Sequence, residues 1–114
     1  MVISDNFIDL KTIFDRFYLS NMNESRYVTI QENIQNGEVH ESIDTLRKLL
    51  NSESTNQDKI HYLLGNAYRK LGNWQLAMNH YQYALDLNPH SPASTAKTML
   101  IDIMNFYNKD MFNQ

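Results

Sequence analysis

One stretch of 34 residues, Asp58 to Ser91, limits the folds open to this chain more than any other. Ile60, Leu63, Leu64, Ala67 and Leu71 recur at the spacing of one helix face. Gly72 follows, a residue able to take the left-handed conformation that ends a helix, and Asn73 is a good N-cap for the next one. Trp74, Ala77, Met78, Tyr81, Ala84, Leu85 and Leu87 then form a second apolar face, which Pro89 stops. Gly65, Ala77 and Ala84 are small where two helices would have to approach closely. Tyr68 and Tyr81 are large enough to fill the space beside them. At the front, Thr55-Asn56-Gln57-Asp58 has the form of a capping box, with Thr55 as N-cap. The segment reads as two antiparallel helices joined by a tight glycine turn.

The preceding segment repeats the plan less strictly. Tyr27, Val28, Ile30 and Ile34 make a helical stripe from about Glu24 to Asn36, and Gly37 occupies the place of Gly72. Val39, Ile43, Leu46, Leu49 and Leu50 define the following helix, with Ser42, Leu46 and Leu49 in the places of Ala77, Tyr81 and Ala84. The polar run Asn51 to Thr55 closes this unit where the later one has a proline. Beyond the clear unit, Ser91-Pro92 reads as N-cap and first residue of a helix reaching about Asn108. Its inner stripe is Ala93, Ala96, Leu100, Ile103, Met104 and Tyr107. Near the N-terminus, Phe7, Leu10, Ile13, Phe14, Phe17 and Tyr18 would line one side of a helix from about Ser4 to Leu19. Three readings of that segment stand open: a cap on the first unit, a contact with another copy, or a stretch upstream of a true start at Met22.

The clear unit resembles the tetratricopeptide repeat (TPR), whose pattern is W-x2-L-G-x2-Y, then A-x3-F, then A and P, over 34 residues of helix–turn–helix. Leu64, Gly65, Tyr68, Ala77, Tyr81, Ala84 and Pro89 stand at those offsets; His61 replaces the Trp and Tyr81 the Phe. The resemblance implies an all-α, TPR-like right-handed superhelix of antiparallel helix pairs with terminal capping helices. Its parts would be an N-terminal amphipathic helix in residues 1–21 and a TPR domain in 22–114. That domain divides into a degenerate repeat at about 23–56, the clear repeat at 58–91 and a capping helix at 92–108. Asn88-Pro89-His90-Ser91-Pro92-Ala93 and Phe106 to Met111 also resemble the tail of small bacterial two-repeat TPR proteins, over roughly Met22 to the C-terminus.

Such proteins bind other proteins, so the resemblance implies a non-catalytic module for a peptide or helix of a partner. Stacked helix pairs curve, with the first helix of each pair on the concave side. On that side the candidates are Tyr27, Gln31 and Gln35 from the first repeat and Lys59, Tyr62, Asn66, Arg69 and Lys70 from the second. Asn66 falls where chaperone-binding members carry an asparagine that grips a terminal carboxylate. Tyr62 stands where those members have a Lys, and Leu63 where they have a further Asn, so that clamp is incomplete.

Composition narrows the alternatives. The net charge of -3 comes from interspersed charges and gives a nucleic-acid partner no electrostatic support. Without cysteine there is neither a disulfide framework nor thiol chemistry, which fits a cytoplasmic protein. No run approaches a membrane span, and Asp5 and Asp9 stand where an export signal would be basic and then apolar. His40-Glu41 with Asp44 has part of a zinc-binding pattern, but no third ligand accompanies it. His61, His80 and His90 show no ligand spacing, and His61, in place of a bulky packing residue, reads as a partly buried structural histidine. Neither an active site, a metal site nor a cofactor is expected. A competing reading is a structural protein that pairs with itself. Its candidates are Phe14 and Phe17 in the N-terminal stripe and Ile101 and Phe106 in the last helix. There Met99, Leu100, Ile101, Ile103, Met104, Phe106 and Tyr107 are apolar nearly all round.

Overall fold

The computed structural model describes residues 25–112. The expectations for residues 1–21, including Phe14 and Phe17, lie outside them. Five helices follow in order: α1 (Ser25–Gln35), α2 (Val39–Ser52), α3 (Gln57–Leu71), α4 (Trp74–Leu87) and α5 (Ala93–Phe112). Among the described residues there is no strand, and the fold is all-α and TPR-like. α1 pairs with α2 and α3 with α4. α3 also packs on both helices of the first pair, and α5 lies chiefly on α4.

Both expected glycine turns are present. Gly37 has φ +100 and Gly72 φ +83. At each, the amide just after the glycine closes a six-residue ring: Glu38 N–H donates to the Asn33 carbonyl and Asn73 N–H to the Tyr68 carbonyl, both at 2.9 Å. This closure satisfies carbonyls that the helix end leaves open, and it needs the left-handed residue. Asn73 then caps α4, its Oδ1 accepting from Leu76 N–H at 3.2 Å. Ser91 Oγ likewise accepts from Ala93 N–H at 3.1 Å.

The capping box at Thr55 does not form. The residue before α3 is Asn56, in the left-handed conformation at φ 61 and without a side-chain cap. Asp58 is engaged elsewhere: it accepts from Asn88 Nδ2 at 3.0 Å, beyond the end of α4, and pairs with Lys59 at 3.2 Å. The turn is fastened instead by Gln57, whose Nε2 donates to the carbonyls of Glu53 at 2.9 Å and Leu50 at 3.3 Å.

The core runs continuously through both pairs, from Tyr27, Ile30 and Ile34 through Leu46, Ile60, Leu63 and Leu64 to Ala77, Tyr81 and Ala84, and ends on Ala93, Ala96 and Leu100. Gly65 is buried against the Tyr81 ring. A Cβ at position 65 would lie 2.5 Å from Tyr81 Cδ1 and 3.1 Å from its Cζ. The first pair reaches the same end with other volumes. Gly37 and Gly72 set the correspondence, which places Ile30 and Leu46, both buried, where the second pair has Gly65 and Tyr81. Leu71 and Leu87, which their spacing puts on the inner stripes, lie at helix ends and are exposed.

Candidate functional site

The concave-side candidates form a row of matched pairs, because α1 and α3 lie side by side with their glycine turns in register. Tyr27 corresponds to Tyr62, Gln31 to Asn66 and Gln35 to Lys70, one helical turn apart along each helix. The three layers differ in access.

The first layer is closed. Tyr27 and Tyr62 are fully buried, and the Tyr27 hydroxyl donates to Glu53 Oε1 at 3.2 Å. Arg26 pairs with the same carboxylate, so one acid holds the start of α1 to the end of α2.

The second layer is a strut. Asn66 Nδ2 donates to Gln31 Oε1 at 3.1 Å, and Tyr81 Oη–H donates to Asn66 Oδ1 at 2.6 Å. Asn66 is 2% exposed and Gln31 7%. One amide thereby links α1, α3 and α4 in a site that water barely reaches, where an unpaired polar group would be costly.

The third layer is open. Gln35 and Lys70 are exposed and Arg69 is part-exposed, at the ends of α1 and α3. Lys59 is buried beside Asp58. Of the eight candidates, Tyr27, Gln31, Lys59, Tyr62 and Asn66 are buried, Arg69 is part-exposed, and Gln35 and Lys70 are exposed.

Sequence reasoning missed a second cluster, on the opposite flank of the α3/α4 seam. His61 Nδ1 and His80 Nδ1 are 3.0 Å apart, one donating to the other. With ring centroids 5.2 Å apart, that nitrogen distance is too short for a face-to-face stack, so the rings meet largely edge to edge. The Tyr68 ring lies parallel to His80 at 5.5 Å, Tyr83 meets both histidines edge-on, and Arg47 of α2 reaches over Tyr68 and donates to its hydroxyl. Burial, reinforced by His61 and Arg47, lowers the His80 pKa to about 4. Burial also lowers that of His61, against the pull of Asp58. A signal was present: His61 and Tyr68 are seven residues apart on one face of α3, and His80 sits beside Tyr81 on the facing helix. Only the pairing of the helices makes neighbours of them.

His40 and Asp44 are both exposed on α2, with no third ligand. Among the described residues no group of three or more His, Asp or Glu is placed to hold a metal ion. Among them, too, no helix is long and apolar enough to cross a membrane.

Comparison with known proteins agrees with the architecture. The tetratricopeptide repeat model matches residues 58–91. The solution NMR structure of Bacteroides fragilis protein BF1650 is 49% identical in sequence and superposes with a TM-score of 0.71, over 80% of this chain and 92% of that one. The chain is a small TPR protein, of one family with BF1650. Among proteins with curated descriptions, none matches it. TPR repeats mediate contacts between proteins, and the helical-repeat fold is typically non-catalytic. The TPR match begins at Asp58, so the first helix pair diverges from the pattern, as its Ile30/Leu46 packing does.

Proposed function

We propose that this TPR protein is a non-catalytic binding module that takes a peptide or helix of a partner protein on its concave side. The partner would meet the open third layer. What carries the reading is the layering itself: two layers of the row are spent holding the helices together, while Gln35 and Lys70 are left exposed and Arg69 part-exposed. Two of the three are cations near the C-terminal end of α3. Their charge also complements the helix dipole.

The test replaces Lys70 and Arg69 with Glu and places a photo-crosslinking residue at Gln35 in the full chain, in its native host. Crosslinking to a defined protein, lost with the double charge reversal while the melting temperature holds, supports the reading. Equal crosslinking from Gln82, exposed on α4, would refute it.

A second reading, self-association, is favoured by one observation. Phe106 and Tyr107 are 68% and 60% exposed near the end of α5, their rings in edge contact at 5.5 Å.

A further inference from the structure

α5 outruns the helix it packs on. α4 has 14 residues and α5 has 20. Lys97 of α5 donates to Gln82 of α4, a contact consistent with an antiparallel register in which Trp74, the first residue of α4, stands opposite about Asn105. The core-facing stripe of α5 passes from Leu100, fully buried, through Met104, part-buried, to Tyr107, 60% exposed. Tyr107 continues the inner stripe by its spacing, at i+7 from Leu100, but stands beyond the start of α4 and is exposed. A second stripe lies alongside: Met99, Ile103 and Phe106, at i, i+4 and i+7. Met99 is 38% and Phe106 68% exposed, and Ile103 is intermediate. Ile101, at 37%, is on the other flank and joins neither stripe.

We infer that α5 pairs antiparallel with α5 of a second copy, Phe106 and Tyr107 of each lying over Met99 and Ile103 of the other. The inference rests on the self-association reading and names its surface. Each pair in this fold is two antiparallel helices, α1 with α2 and α3 with α4, whereas among the described residues α5 packs chiefly on α4. A two-fold axis near Ile103 supplies a matching helix from an identical chain and makes the contact reciprocal, as an isologous interface requires.

The areas fit a weak contact. An aromatic side chain can bury about 150–250 Å², so the exposed parts of Phe106 and Tyr107 offer roughly 250 Å² together, and Met99 with Ile103 add about 100 Å². Two copies then bury about 700 Å² of apolar surface. In an interface whose core is about 65% apolar this corresponds to a total near 1,100 Å², at the lower edge of specific protein contacts. The expected dimer is therefore a weak one, set by concentration.

The test is sedimentation of the full chain across a concentration series, with Phe106→Glu as the disrupting variant. Phe106 is mostly exposed, so the variant should keep the melting temperature while self-association weakens at least tenfold. The chain has no cysteine, so single cysteines report cleanly. Under mild oxidation Ile103→Cys should form a covalent dimer, and Ile101→Cys on the other flank should not. A monomer at every concentration overturns both the self-association reading and this interface. A dimer that survives Phe106→Glu, or that crosslinks equally at 101 and 103, overturns this interface alone.

Discussion

Replacing Gly65 with Ala adds one carbon to the tightest point between α3 and α4. The new Cβ would lie 2.5 Å from Tyr81 Cδ1, nearer still to Cε1, and 3.1 Å from Cζ. These are the ring's own atoms, not the end of a flexible chain. The ring is held at its far end, where the hydroxyl donates to Asn66 Oδ1 at 2.6 Å, and it is fully buried. Moving it strains the hydrogen bond that ties α4 to the strut. Overpacking of this kind costs about 1–3 kcal/mol, and an anchored ring favours the upper part of that range. Alanine recovers about 1 kcal/mol, since glycine is a poor residue within a helix. The net loss should be about 1–2 kcal/mol, or roughly 4–8 °C in melting temperature for a domain of this size.

The assay is urea and thermal unfolding followed by circular dichroism, comparing Gly65→Ala, Tyr81→Leu and the double variant. The first repeat has Ile30 and Leu46 in these places, so the fold accepts a side chain at the glycine position when the facing ring is absent. The double variant should therefore be more stable than the two single losses added together, because residues in contact are coupled. A Gly65→Ala protein as stable as the parent, or strictly additive losses, would refute the close approach.

Three further outcomes follow from the same contacts. Ala77→Leu should lose about 1–3 kcal/mol in the same assay, because Ala77 is fully buried on α4 and extra methyl groups in a packed core force a rearrangement. Asn66→Ala should lose about 1–3 kcal/mol by removing the group between Gln31 and the Tyr81 hydroxyl, and an unchanged unfolding midpoint would mean that the strut holds nothing. His80 should make stability pH-dependent. Its folded pKa of about 4 lies below the unfolded value of about 6.5, so its contribution is whole above pH 6.5 and is lost as pH falls toward 4, while the unfolded chain alone takes up the proton. With allowance for solvent screening of a half-buried ring the loss is about 1–2 kcal/mol. Unfolding at pH 7.0 and pH 5.0 should show a smaller difference in His80→Asn than in the parent.

Elements governed by neighbours in the chain are legible in the sequence. Gly37 and Gly72 read as turns because left-handed backbone suits glycine, and Asn73 as a cap because its hydrogen bond reaches only to Leu76. The capping box at Thr55 fails for the opposite reason: Asp58 is claimed by Asn88, thirty residues on, and no local pattern contains that partner. The same holds for His61 and His80, unremarkable as spacings and adjacent only once α3 and α4 are paired. Apolar stripes tell where α5 begins and which residues it buries first. They do not tell how α5 is aligned on the shorter α4, so Tyr107, interior by its spacing, stands exposed.

Asn66 shows why a repeat pattern carries a fold further than it carries a site. The family resemblance places an asparagine at a ligand-gripping position, and position alone leaves open what the side chain holds. Here Gln31 occupies the matching place one repeat earlier and Tyr81, rather than Phe, faces it from α4. Both are polar at their tips, and Asn66 is the one group able to serve an acceptor and a donor together: its Nδ2 gives to Gln31 and its Oδ1 takes from Tyr81. With Phe at position 81 the carbonyl oxygen would be left for a ligand. The exchange of Phe for Tyr, which in the sequence looks like the mildest departure from the pattern, therefore turns the middle of the concave row from a contact surface into part of the frame. The proposed recognition of a partner then falls to the layer beyond it, at Gln35, Arg69 and Lys70.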